Sequence, residues 1–114
     1  MKGLIYGALL FALGQSMIWF QTNGQFIWPW FKNNPLILSI VGGTTISYLF
    51  ITGTALIASH YDGLIWPGRF IGFSVGIFTF AILTNYFLGE GISLKTGVSL
   101  ILALALLCVQ LFWK

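Results

Sequence analysis

The chain has 114 residues, of which 58% are hydrophobic and 6% charged, with five basic residues, two acidic residues and a formal net charge of +3. A soluble domain carries about 25% charged residues, so this chain cannot cover a water-facing surface and is expected to be an integral membrane protein. No cluster of Lys or Arg exists to grip a phosphate backbone, so no nucleic-acid partner is expected.

Crossing the hydrocarbon core takes about 20 apolar residues in a helix. Such runs occupy residues 4–22, 36–58, 66–88 and 92–113. They hold no Asp or Glu; Arg69 lies inside the third run and Lys95 at the start of the fourth. A β-barrel would need short alternating segments, and Leu100-Ile101-Leu102-Ala103-Leu104 does not alternate. A helix satisfies its own backbone in lipid. The expected fold is therefore all-α: a four-transmembrane-helix bundle over residues 1–114 with no extramembrane domain.

In chain order, the first run begins after Lys2. Lys2, the apolar run and Ala12-Leu13-Gly14 look somewhat like a signal peptide. The run continues through Met17, Ile18, Trp19 and Phe20, which favours a retained span. The break from 23 to 35 is the longest loop and carries Trp28-Pro29-Trp30 and Lys32. Paired indoles suit a headgroup-level anchor, and Pro35 suits the first turn of the next helix. His60-Tyr61-Asp62-Gly63 and Gly89-Glu90-Gly91 form the other breaks. The single Cys108 lies within the fourth run, where it reads as a small packing residue with no intrachain disulfide partner.

Four spans put both termini on one side, with Lys2, Arg69 and Lys114; Lys32, Glu90 and Lys95 fall on the other. This is a weak positive-inside bias. Either another feature sets the orientation or copies insert both ways. Small residues are better ordered. Gly68, Gly72 and Gly76 recur every four residues on the third span, and Gly97 opens a small-residue stretch on the fourth. Such rows let helices approach closely. They serve packing within the chain or between copies, and a homo-oligomer, most simply a dimer, is expected. A larger membrane complex is the alternative partner.

No catalytic constellation is present, so an enzyme is not expected, nor is any cofactor. His60 and Asp62 share a turn and read as solvated; a metal site would need more ligands. The informative polar groups are Gln15 and Arg69. A Gln in mid-span must find partners in other helices or a cavity. Phe11 and Trp19 stand one turn to either side of it. Arg69 either snorkels to the interface or faces a cavity, with Trp66 and Phe73 as a possible aromatic frame.

These residues resemble those of the small multidrug resistance transporters, within the drug/metabolite transporter superfamily. Gly63-Leu64-Ile65-Trp66-Pro67-Gly68 resembles the segment opening that family's third helix, and Phe87-Leu88-Gly89-Glu90 the turn before its last. Residues 97–107 are similar to its dimerising fourth helix. The resemblance implies a small bacterial or phage-encoded transporter of the inner (cytoplasmic) membrane. It places Gln15 where the multidrug exporters carry a proton-binding Glu. Gln does not titrate, so proton-coupled export of cationic drugs is not expected. Gly14-Gln15 instead resembles the branch of aminoarabinose-lipid flippase subunits, and Arg69 would favour an anionic or polar-headed substrate. Gln15, Trp19, Trp66 and Arg69 are thus the candidate substrate-binding residues, and Gly68, Gly72, Gly76 and Gly97 the candidate packing residues. Two readings stay open: a small transporter or flippase-like protein, and a non-transporting subunit of a larger membrane complex. A phage holin-type pore is more distant.

Overall fold

Long apolar runs with proline only in their first turns fold as unbroken helices. The structure, a computed structural model, describes residues 2–113. Four of its helices are long and apolar enough to cross a membrane: α1 (Lys2–Asn23), α3 (Pro35–His60), α4 (Trp66–Leu88) and α5 (Leu94–Phe112). A short helix, α2 (Pro29–Asn33), lies between α1 and α3. Among the described residues there is no strand. The chain is an all-α membrane bundle.

The helix limits have local causes. Pro35 opens α3 and Pro67 sits in the first turn of α4, where a missing N–H costs nothing. Gly89 ends α4 in the left-handed region, at φ 70°. The fourth span starts at Leu94, two residues later than the apolar run, because Ser93 caps it by accepting a hydrogen bond from the Thr96 N–H at 3.2 Å. The turn after α3 uses two left-handed residues, Asp62 and Gly63. Burial pushes the Tyr61 phenol at that turn above its ordinary pKa.

The first loop is more ordered than its composition implies. Gly24–Phe26 form a 3-10 turn, and α2 follows. Trp28 is extended, as a residue before proline prefers, and Pro29 then starts α2. Phe20, Trp28 and Phe87 lie in mutual ring contact at 5.3–6.2 Å between centroids, and Phe31 meets Trp28 at 5.2 Å.

Lipid is as apolar as a leucine side chain, so close packing, more than burial from water, holds these helices together. α1 is central and packs most extensively on α3 and then on α4, while α5 lies mainly on α4. At the α1–α3 crossing a Cβ on Gly7 would stand 3.0 Å from the Gly53 carbonyl oxygen. Phe11, Ile57 and Ile71 fill the centre. Ser74 ties α4 to α5 by donating to the Ala103 carbonyl at 3.1 Å. Hydroxyls such as Ser16, Thr44 and Ser99 donate to the carbonyl four residues earlier, which lets them sit in an apolar span. The whole is a slab, 47 × 36 × 18 Å in extent.

Candidate functional site

One face of α1 presents Phe11, Gln15, Trp19 and Thr22 in succession, the spacing that stacks side chains along a helix. This face backs a cavity of about 570 Å³, within the usual range of ligand sites. α3 flanks it with Phe50 and Thr54. α4 forms the other flank with Arg69, Gly72, Phe73, Gly76 and Phe80 among others. α3 and α4 touch little; they meet where Gly68 lies on Ile57, at 3.5 Å from the position of a Cβ.

Gln15 is half-buried and stands mid-height in this cavity. Its carboxamide lies over Gly76, in space that a side chain there would fill. Among the described residues it makes no hydrogen bond, so its donors and acceptor are open to the cavity. Arg69 borders the same cavity and is exposed. Its guanidinium forms no ion pair among the described residues. Seven residues separate Arg69 from Gly76, which is about 10 Å along α4 at 1.5 Å per residue. Arg69 and Gln15 therefore mark two levels of one cavity and do not form a pair.

Trp19 takes a different part from that expected of a free polar contact. It is 2% exposed, and its indole N–H donates to Thr84 Oγ1 at 2.8 Å. Its polar atom is spent on holding α1 to α4, so it offers the cavity ring surface alone. Trp66 does not join the other three. It is 70% exposed, lies outside the cavity lining and stacks on Phe70 at 6.0 Å. No aromatic frame forms around Arg69; Phe73 lines the cavity beside it.

The glycine row of α4 faces inward. Gly72 lies against Phe11 and Gly76 against Gln15, so these positions make room within the chain. Gly97 on α5 meets only Ile92 of its own segment. Thr84, Phe50 and Thr54 were not singled out from the sequence. Thr54 and Thr84 are polar residues inside apolar runs, and that was the available signal.

Among the described residues no group of three His, Cys, Asp or Glu could hold a metal ion. The site offers one cation, the carboxamides of Gln15 and Asn23, the hydroxyls of Thr22 and Thr54, and a wall that is otherwise aromatic, aliphatic and glycine. It can bind and orient a ligand, and it holds no nucleophile paired with a base. Comparison with protein-family models, with curated proteins and with solved structures finds no match.

Proposed function

We propose that this protein is a small membrane transporter or flippase-like protein of the drug/metabolite transporter type, handling an anionic or polar-headed molecule or lipid. The observation that carries the reading is the Gln15 carboxamide, unpaired among the described residues in a cavity where Arg69 is the only charged lining residue. An unpaired amide in a membrane interior is costly, and a function is the usual reason for tolerating it. A guanidinium attracts carboxylate and phosphate oxygens and repels cations. Gln15 adds donors without charge. The chain catalyses no covalent step in this reading and needs no cofactor.

Two size-matched lipophilic ions test it. The purified protein in phosphatidylcholine vesicles should bind tetraphenylborate in preference to tetraphenylphosphonium, read by tryptophan fluorescence and equilibrium dialysis. Arg69→Ala should abolish the preference and leave the melting temperature unchanged, since Arg69 is exposed and pairs with nothing described. Equal binding of both ions by the unaltered protein would sink the anion reading. The non-transporting subunit would then be the better account, with the cavity a socket for a partner's helix.

A further inference from the structure

A second cavity lies on the other side of α1, beneath the tryptophan loop. Its volume is about 410 Å³, and Met17, Phe20, Trp30, Phe31, Leu38 and Val41 line it. Residues 17, 20 and 21 are on the side of α1 turned away from Gln15, at 100° per residue. Gln21 is its main polar neighbour, and that side chain is already engaged: its amide N–H donates to the Leu38 carbonyl at 2.8 Å. The remaining wall is hydrocarbon and aromatic ring.

Its depth fits one leaflet. Pro35 begins α3 at the loop, and the lining ends at Gly42. Seven residues of helix span about 10 Å, less than half of a hydrocarbon core of roughly 30 Å. Trp30 stands in the lining next to the loop, and an indole there suits headgroup level, where such rings concentrate. Lys32 follows the rim residues Trp30 and Phe31 directly, and it is exposed. It is the sole charged residue between Lys2 and Asp62 in the chain, and it forms no ion pair among the described residues. An apolar slot of leaflet depth, with an uncompensated ammonium outside the lining but on the same short helix as Trp30 and Phe31, is complementary to an amphiphile with a negative head.

We propose that this pocket holds an acyl chain of an anionic phospholipid whose head group pairs with Lys32. α2 acts as the roof: Trp30 and Phe31 cover the upper chain while Lys32 holds the phosphate. The site is separate from the cavity of Gln15 and Arg69, and it stands whether or not that cavity transports anything.

The test uses the full chain in phosphatidylcholine vesicles doped with a photoactivatable acyl-diazirine lipid, carrying either a phosphatidylglycerol or a phosphatidylcholine head. Cross-linked peptides are mapped by mass spectrometry. The expected result is labelling concentrated in residues 17–21 and 37–42, stronger for phosphatidylglycerol by about fivefold, the factor one Lys contributes near an anionic surface. Val41→Trp fills the pocket from a lipid-exposed position and should remove most of that labelling with both heads. Lys32→Ala should keep the labelled positions and erase the head-group preference. Labelling spread evenly over the lipid-facing surfaces of all helices would overturn the proposal. So would a folded Val41→Trp protein labelled like the unaltered one, or a preference that survives Lys32→Ala.

Discussion

The Gln15 carboxamide occupies the volume that a side chain on residue 76 would need. A Cβ placed on Gly76 would stand 2.8 Å from both Cδ and Nε2 of Gln15. The crowded atoms are the end of a flexible side chain, so Gly76→Ala should be absorbed by swinging the amide aside. We expect a melting temperature close to that of the unaltered protein. Binding of a long-chain alkyl phosphate, whose oxygens can accept from the Gln15 amide, should fall about fivefold, corresponding to one lost hydrogen bond of about 1 kcal/mol. Unchanged binding together with a strongly lowered melting temperature would mean that Gly76 serves packing alone.

Thr84 is predicted to matter for stability through one atom. Thr84→Val keeps the shape and removes the acceptor of the Trp19 indole, leaving a buried N–H without a partner. The cost should be about 1–3 kcal/mol, read as a lower midpoint of thermal or denaturant unfolding in detergent. Thr84→Ser should restore most of it. Equal stability of the Val and Ser variants would show that the hydrogen bond contributes little.

Gly7 and Gly72 should separate backbone from side-chain crowding. An added methyl at Gly7 presses on the Gly53 carbonyl and on Ile57, whereas at Gly72 the nearest atoms are Phe11 ring carbons at 3.5 Å, an ordinary contact. Gly7→Ala should force α1 and α3 apart and destabilise clearly, by an overpacking cost of about 1–3 kcal/mol. Gly72→Ala should be nearly neutral. Parallel unfolding curves of the two variants check the contrast, and matched losses would contradict the crossing described.

The dimer expected from the small-residue rows is testable with the native cysteine. α5 turns Ala103 inward to α4 and leaves Gly97, Ile101 and Cys108 along its outward side, the last of them exposed. If two copies meet through α5, mild oxidation in bilayers should yield a disulfide-linked dimer through Cys108, and Gly97→Leu should reduce it. A monomer persisting at high protein-to-lipid ratio would exclude this interface.

The spans were legible because length and hydropathy alone define them. The reading of 66–88 coincides with α4, and the others differ by one or two residues at caps such as Ser93. The inner faces were not legible in the same way. A helix that is apolar all round has no moment to tell core from lipid, which is why Trp66 could be placed beside Arg69 when its ring in fact points away to Phe70. Gln15 was readable because it is polar in mid-span. The partnership of Trp19 with Thr84 spans 65 residues and left no local pattern. Helix α2 was hidden by a loop composition whose order comes from Pro29 and ring contacts.

α3 and α4 flank the cavity of Gln15 and Arg69 and touch little, so if both helices span the bilayer as their length and hydropathy allow, the gap between them opens along the membrane plane. Exchange through such an opening is a two-dimensional process. A ligand must first dissolve in the membrane, and occupancy then follows its mole fraction among the lipids, whatever its concentration in water. Apparent affinities for this protein should consequently shift in proportion to the amount of lipid in the assay, and anions that partition poorly should look like non-binders even when their heads fit Arg69.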